Sequence, residues 1–220
     1  MRASKQLGVK GRKGVKWLLS SAPGPHRKLE SVSAGVLLRD VLSIARNLHE
    51  AKKIINGGNM LVDGKKVHDV RFPIGIMDIV ALPAEGKAYM MSLTGGKLVP
   101  SEAKGEAGKR KYLRVSGKHT MKGDKTCITF HDGRNYLGDK HIMTGDTCVL
   151  SVPGFKLLSH IKLAPGAECL VMKGKHMGEV AKLEKLIERP GSHDTEALLS
   201  SAGGEFVTVA KYLFAIDKDF

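Results

Sequence analysis

The hydrophobic positions from residue 33 onward recur at helical spacing. They lie three, four and seven positions apart, which is typical of one buried helix face. Ser33 precedes the first of them and is suited to be an N-cap. We therefore expect a helix that begins after Ser33, with Arg39 and Arg46 on one exposed stripe. The recurring positions are Leu37, Leu38, Val41, Ile44, Ala45 and Leu48.

A second helix is predicted from Asn47 to about Asn56. Asn47 is a strong N-cap residue, and Glu50 follows three positions later, as in a capping box. Gly57-Gly58 then supplies the left-handed backbone that ends many helices. The helix is expected to stop there and to lead directly into an extended segment.

A tight hairpin is predicted after this glycine stop. Met60–Val62 forms a short apolar run, Asp63-Gly64 is a two-residue turn sequence, and Lys65, Lys66 and Val67 begin the return. A further turn around Pro73 and Gly75 leads to an apolar strand from Ile79. We place the end of this unit at residue 88.

The remainder of the chain has the short alternating runs of β structure. Residues 89–164 contain four such runs, "KYLRVSG", "KTCITFHDGRN", "DTCVLSVPG" and "FKLLSHIKL", while "SEAKGEAGKRK" at 101–111 is expected to be a surface loop. Residues 165–220 contain runs such as "AECLVM" and "YLFAID" and a "KGKHMG" turn. Five short strands are expected there, which indicates a small barrel.

Residues 1–32 show no sustained period and form a basic extension. Residues 1–30 carry 8 basic and 1 acidic side chains and are interrupted by glycine and proline. A segment of this composition is expected to be disordered alone in water. Trp17 is the only Trp of the chain, and an indole in such a tail is best explained by a partner on which it stacks.

The net charge of the chain, +14, favours a polyanionic partner. Basic residues are concentrated in the tail and the middle, whereas residues 165–220 carry 7 bases and 9 acids. The 3 cysteines are widely separated, so neither a disulfide framework nor a zinc knuckle is predicted. No apolar run reaches the roughly 18 residues of a membrane span. These features predict a cytosolic protein.

The helix, glycine stop and hairpin place several bases on one compact unit, which we call the basic corner. Side chains do not enter the deep major groove of A-form RNA, so proteins bind folded RNA through phosphates, 2′-hydroxyls and shape. A rigid basic surface with few aromatic residues suits that mode. The predicted contacts of the corner are Arg39, Arg46, Lys52, Lys53, Lys65 and Lys66, with Arg71 nearby.

Four segments, in order, carry a resemblance to a known family. Residues 36–83 resemble an S4-type RNA-binding domain, and "FPIGIMDIV" is similar to the form found in archaeal and eukaryotic small-subunit ribosomal protein four. Trp17 with "PGPH" at 23–26 is similar to that family's N-terminal extension, and "ITFHDGRN" to its central domain. "GAECLVMKGKHMGEVAKLEKLIERPGSHD" resembles its KOW-bearing end. The ordered set is more specific than any one motif.

The resemblance implies a mostly β, multidomain α+β protein of the small ribosomal subunit. The implied parts are an extension over 1–32, an S4-type RNA-binding domain over 33–88, a central β domain over 89–164 and an SH3-like KOW barrel over 165–220. Small-subunit rRNA and neighbouring ribosomal proteins are the expected partners in the cytoplasm, with no cofactor, metal or membrane. Further expected RNA contacts are Lys10, Arg12, Lys13, Lys16, Trp17, His26, Lys118, Lys122, Lys125, Arg134, Lys173 and Lys175.

Two other classes of protein stay open at this point. An RNA-modifying or RNA-charging enzyme can carry an S4-type module, but residues 89–220 contain no phosphate loop, dinucleotide fingerprint or nucleophile elbow. His131 and Asp132 are adjacent and are better explained by a turn at Asp132-Gly133 than by acid–base chemistry. A transcription-elongation or RNA-processing factor is the other alternative, since the slightly acidic last quarter suits a protein contact.

The tail generates the first testable prediction. If Lys10, Arg12, Lys13 and Lys16 order on RNA with Trp17 as their anchor, the Trp17 fluorescence should shift and become protected from a soluble quencher when rRNA is added. The measurement is simple because the chain has 1 Trp. An unchanged and fully quenchable signal in a complex that has demonstrably formed would contradict the prediction.

Overall fold

The computed structural model describes residues 18–217 except 104, 124, 190–193 and 202. It divides into two compact units. Unit 1 contains the chain up to Lys111 together with Ser151–Phe155, and unit 2 contains Tyr112–Leu150 and the chain from Lys156 onward. Strand structure predominates among the described residues, as the sequence predicts for the chain as a whole. None of the described helices has the length and apolar character of a membrane span.

Unit 1 contains both of the described α-helices. Its elements are β1 (Val32–Ser33), α1 (Ala34–Val36), a π-helical turn (Leu37–Val41), α2 (Leu48–Asn56), β2 (Leu61–Val62), β3 (Lys65–Lys66), β4 (Pro73–Ile74), β5 (Ile79–Leu82), β6 (Lys87–Thr94), β7 (Lys97–Glu102) and a 3₁₀ turn (Gly105–Lys109). β1 pairs with β4, and the main sheet has the antiparallel order β3-β2-β5-β6-β7. The boundary expected at residue 88 falls inside β6, so this sheet continues past it.

Unit 2 is built from two five-stranded sheets. Its strands are β8 (Arg110–Met121, which begins in unit 1), β9 (Lys125–Phe130), β10 (Asn135–Gly138), β11 (Thr147–Ser151), β12 (Leu157–Ile161), β13 (Glu168–Val171), β14 (Val180–Ile187), β15 (Glu196–Ser201), β16 (Gly204–Val209) and β17 (Leu213–Ile216), with a 3₁₀ turn at Ala210–Tyr212. The central sheet has the order β10-β9-β8-β11-β12 and the second sheet β16-β15-β14-β13-β17. The five strands predicted after residue 165 are confirmed.

The first helix is shorter than its periodicity predicts. It ends in the π-helical turn at Val41, and Ser43 has a φ of 56° that a helix does not continue through. Ser33 occupies the N-cap position, but its hydroxyl donates to the Leu19 carbonyl at 3.1 Å instead of capping the helix. The expected shared stripe for Arg39 and Arg46 is therefore wrong, since Arg46 lies beyond the end of this helix.

Residues 18–30 are part of unit 1, which corrects the prediction that the whole segment 1–30 is disordered. The Ala22 N–H donates to the Arg71 carbonyl at 2.8 Å, and Ser21, His26 and Ser31 are buried. Gly24 lies against Pro73, where an added Cβ would stand 2.6 Å from the ring Cγ. The prediction failed because composition reports no long-range contact, and this segment is held by residues some 50 positions away.

A buried ion cluster lies in the core of unit 1. The Lys111 ammonium donates to Asp63 at 2.5 Å and to Asp78 at 2.7 Å, and His26 Nε2 is 2.8 Å from the second oxygen of Asp78. Lys111 is fully buried, although the sequence predicted it to lie in a surface loop. The Gly75 N–H also donates to Asp78, at 2.8 Å.

The two carboxylates of this cluster have opposite pKa shifts. Burial by itself raises the pKa of Asp78, but the charges of Lys111 and His26 outweigh it and hold that pKa well below its ordinary range. Burial and the charge of Asp78 raise the pKa of Asp63, with Lys111 opposing them. Asp78 is therefore the better stabilised anion, because both Lys111 and His26 face it.

Replacing the buried cation should destabilise the protein severely at neutral pH. Lys111→Met leaves two buried carboxylates without their shared ammonium, a change expected to lower the free energy of unfolding by about 3–5 kcal/mol. Without Lys111 the carboxylates should have pKa values above those of the unfolded chain, about 3.9. Carboxylates with a raised pKa destabilise the folded state as the pH rises through their folded-state pKa. The variant should therefore regain stability as the pH is lowered from 7 towards 4.

Urea unfolding of the full chain at pH 7 and pH 5 measures both effects. Lys97→Met is the matched control, because Lys97 lies exposed at the start of β7 in the same unit. Equal stabilities of the two variants at pH 7 would contradict the assigned importance of the cluster.

Candidate nucleic-acid interface

The helix of the basic corner is formed and oriented by local sequence. Asn47 caps α2, with its side-chain oxygen accepting from the Glu50 N–H at 2.8 Å, as predicted. The carboxylate of Glu50 accepts from the Arg46 N–H at 2.8 Å, one residue before the partner that a capping box requires. Ala51 and Ile55 are buried. Because these positions face the core, Lys52 and Lys53 between them are exposed.

The turn between helix and hairpin depends on one glycine of the predicted pair. Gly58 has a φ of 71°, whereas Gly57 stays in the right-handed helical region at −69°. The chain then enters β2 and turns through Asp63 and Gly64, whose φ values of 51° and 75° are those of a two-residue hairpin. The predicted hairpin is confirmed.

The two hairpin lysines lie on the edge strand β3 of the main sheet, opposite Leu61 and Val62. Both are exposed. The side chain of Lys66 runs back over the helix end, where its Cδ is 3.5 Å from the position of an added Cβ on Gly58. The fold thereby brings a lysine of the hairpin to the last turn of the helix that carries Lys52 and Lys53.

Two contacts hold the hairpin turn rigidly. Asp63 accepts from the Ile79 N–H at 3.1 Å and binds Lys111 through its other oxygen. Gly64 lies against Pro153, and an added Cβ would stand 2.6 Å from the Pro153 Cβ. The sequence predicted the turn but not the ion pair, because nothing local marks Lys111, 48 positions away, as a partner.

The three arginines of this region have different surroundings. Arg39 is only partly exposed and binds Asp40 through two hydrogen bonds of 2.7 Å, so much of its charge is compensated. Arg46 is exposed just before α2. Arg71 is also exposed, and its Nε donates to the Ser20 carbonyl at 3.2 Å.

His26, which was predicted as an RNA contact, is buried inside unit 1. Its ring packs over Gly75, where an added Cβ would stand 2.3 Å from the ring, and it binds Asp78. The "PGPH" and "FPIGIMD" segments are thus direct packing partners. The packing on Gly75 and the contact with Asp78 account for a histidine at this position without an RNA contact. His26 is therefore not part of the proposed interface.

The predicted bases of unit 2 do not form one cluster. Lys122 and Lys125 are exposed at the tip of the β8–β9 hairpin, and the Lys118 ammonium donates to the Lys140 carbonyl. Arg134 follows the other end of β9. At the usual rise per residue, the length of this strand puts that end about 17 Å from the hairpin tip. It is paired with Asp132 at 3.0 Å.

The loop of residues 172–179 carries the remaining predicted bases. Lys175 is exposed and Lys173 is partly buried. His176 lies in this loop between β13 and β14. Its ring stacks on Phe206 with 4.0 Å between ring centroids, and its Nδ1 is 3.1 Å from Glu179. These two contacts fix the loop beside Lys175. Lys10, Arg12, Lys13, Lys16 and Trp17 lie outside the described residues.

The candidate catalytic groups have structural roles in the described part of the chain. His131 Nδ1 accepts from the Arg114 N–H at 3.2 Å, Asp132 binds Arg134, and Gly133 forms the expected turn with a φ of 80°. Burial raises the pKa of Cys169 to about 12, so that its thiol is not a nucleophile at neutral pH. No group of three potential metal ligands occurs among the described residues.

Comparison with known proteins identifies the family. Residues 86–157 match the model of the ribosomal family S4e. The small ribosomal subunit protein eS4 of Methanothermobacter thermautotrophicus is 37% identical over 209 residues, which cover 94% of this chain and 86% of the relative. The eS4 protein of Methanosphaera stadtmanae is 35% identical over 204 residues, 92% of this chain and 85% of the relative.

The chain belongs to the S4e family of ribosomal proteins. The fold agrees with this identification. The crystal structure of the 30S ribosomal protein S4e from Thermoplasma acidophilum superposes with a TM-score of 0.73 at 30% identity, covering 87% of this chain and 97% of that chain. The resemblance found in the sequence is thereby confirmed over most of its length.

The rigidity of the hairpin in this S4e protein can be tested with two glycines. Gly64→Ala should lower the free energy of unfolding by roughly 2–4 kcal/mol, through left-handed strain together with the clash against Pro153. Gly86→Ala is the matched control, because Gly86 has a φ of 65° but no atom within 4 Å of an added Cβ. It should lose about 1 kcal/mol. Equal losses in thermal or urea unfolding would contradict the packing of Gly64.

Proposed function

We propose that this S4e protein acts as a scaffold of the small ribosomal subunit by binding small-subunit rRNA through exposed bases on a rigid fold. Membership of the family makes it a ribosomal structural protein. The observation that best supports the RNA contact is the basic corner, where Lys52, Lys53, Lys65 and Lys66 are all exposed around one glycine turn.

Affinity and specificity have different origins in this proposal. Each lysine that reaches a phosphate releases condensed counterions, so binding weakens with salt by a log–log slope of about 0.7 to 0.9 per contact. This term is independent of sequence. Specificity comes from shape, because the corner is held by the buried ion cluster and by Pro153 and therefore presents its charges at a defined angle.

We assign the family's parts to this chain as follows. Residues 1–32 form the RNA-binding extension, 33–88 the S4-type domain, 89–164 the central β domain and 165–220 the KOW barrel, with the sheet of the S4-type domain continuing past residue 88 through β7. Arg46, Arg71, Lys122 and Lys125 extend the RNA contact beyond the four corner lysines, since all are exposed. Arg39 and Arg134 contribute less, because each is paired with a neighbouring aspartate.

The last quarter of the chain has a different assignment. Residues 165–220 carry 7 bases and 9 acids, so this part repels phosphate on average. We assign RNA binding there to the loop with Lys173 and Lys175, and contacts with neighbouring ribosomal proteins to the remaining surface. The protein works without catalysis or a cofactor, as a component of cytoplasmic ribosomes.

A charge reversal of the corner tests the proposal. Lys65→Glu with Lys66→Glu should weaken binding of the full chain to small-subunit rRNA and lower the salt slope by about 1.4 to 1.8, the value of two phosphate contacts. Lys182→Glu with Lys185→Glu is the matched control, because both lysines are exposed on β14 in the acidic last quarter. It should leave affinity close to that of the wild type.

Filter binding over a series of salt concentrations measures both quantities. Equal effects of the two double variants would contradict the assignment to the corner. Failure of the wild-type chain to prefer small-subunit over large-subunit rRNA would contradict the proposed function itself.

A further inference from the structure

The strands β8, β9 and β10 have one filled face. Residues directly opposite each other on paired strands point to the same side of a sheet. Ile128 is paired with both Lys118 and Tyr136, and Gly138 is paired with Thr126. An added Cβ on Gly138 would stand 2.6 Å from the Ile128 Cδ1, so this side is packed.

The opposite side of the same three strands is open, and we call it the open face. An added Cβ on Gly117 would meet no atom within 4 Å. Two large apolar side chains are exposed there, Leu137 at 59% and Met121 at 47%. The residues on this side are Gly117, His119 and Met121 on β8, Lys125, Cys127 and Thr129 on β9, and Asn135 and Leu137 on β10. Cys127 is itself buried, so the accessible surface of the open face is formed by the residues around it.

The polar groups of the open face are suited to an acceptor-rich ligand. Lys125 presents an ammonium, and the imidazole of His119 carries an N–H in either tautomer. The Thr129 hydroxyl donates to the side-chain oxygen of Asn135 at 2.8 Å, which leaves the Asn135 amide to donate outward. None of the eight residues is a carboxylate. Charge and hydrogen-bonding capacity therefore both complement an anion.

The apolar residues of the open face narrow the choice of anion. Leu137 and Met121 offer a surface for flat, weakly polar groups beside Lys125. Bases in an RNA helix are stacked and hide their faces, whereas unpaired nucleotides present both a phosphate and an uncovered base. A protein partner would meet the three donors of Lys125, His119 and Asn135 but no carboxylate to pair with its own basic side chains. The open face therefore suits a protein less well than it suits RNA.

We propose that the open face binds unpaired nucleotides of the rRNA, with a phosphate at Lys125 and a base or sugar against Leu137 and Met121. This inference rests on the proposed function and adds to it the class of RNA that the central sheet contacts. Asn135 and His119 become contact residues that charge counting does not identify.

The same geometry changes the assignment of Lys118. Its partner in the β8–β9 register is Ile128, so its side chain lies on the filled side, where the ammonium donates to the Lys140 carbonyl. Lys118 is thus a positioning residue that holds the loop following β10. Lys122, in the turn between the two strands, stays near the tip of the open face.

A photo-crosslinking experiment identifies the occupant directly. A benzoylphenylalanine photoprobe is placed at position 137 of the full chain, the chain is reconstituted into small subunits, and the products are sequenced. Position 158 is the matched control, because Leu158 is a leucine exposed at 54% on β12, the other edge of the same sheet. We expect crosslinks from position 137 to unpaired rRNA nucleotides and far fewer from position 158.

Three other results from an incorporated chain overturn the inference. Crosslinks from position 137 to a ribosomal protein make the open face a protein interface, and crosslinks to base-paired rRNA contradict the binding of unpaired nucleotides. An absence of crosslinks from a chain that is incorporated shows an unoccupied face. A chain that is not incorporated even without the photoprobe contradicts the proposed function instead.

An affinity measurement provides the second readout. Leu137→Asp should weaken rRNA binding about fivefold or more, because it replaces an apolar contact with a charge that repels phosphate, and Leu158→Asp should leave it unchanged. Lys125→Ala should lower the salt slope by about 0.7, the value for one phosphate of a single strand. Circular dichroism melting checks that both aspartate variants fold. Equal affinity of the two folded aspartate variants would overturn the inference, while binding by the wild type would leave the proposed function intact.

Discussion

Unit 1 depends on the shared ion pair between Lys111 and two aspartates. The cluster joins four separate parts of the chain: the segment before the first helix at His26, the hairpin turn at Asp63, the residue before β5 at Asp78 and the start of β8 at Lys111. A buried charge without partners is strongly destabilising, so all four segments have to be in register before any of them is stable.

The cluster also explains why the basic corner is rigid although it is small. Asp63 adopts the left-handed backbone of the hairpin turn and at the same time binds Lys111, so one residue connects the surface turn to the core. Ion pairs of this kind contribute little net stability compared with apolar packing, and their best-supported use is to select one arrangement over others. Here the selected feature is the position of the hairpin turn against the start of β5 and β8.

The sequence predicted those features that depend on interactions between residues close together in the chain. The cap at Asn47, the turn at Asp63-Gly64 and the strand runs after residue 110 follow from short-range preferences, and the structure has them. The first helix was overestimated because periodicity does not register the left-handed Ser43. Burial of Lys111 and His26 was missed because each depends on partners far away in sequence. The sequence also did not predict which side of the sheet each lysine faces. Only the strand register shows that Lys118 and Lys125 lie on opposite sides.

The two lysines on β3 have a consequence for the protein before it meets any partner. β3 is the edge of a sheet, and unpaired edge groups are ready templates for pairing with another chain. Two exposed lysines on a two-residue strand oppose such pairing, because a second copy would bring like charges together. The side chains that we assign to phosphate contacts thus also keep newly made copies apart, and this protection is no longer needed once an anion covers them.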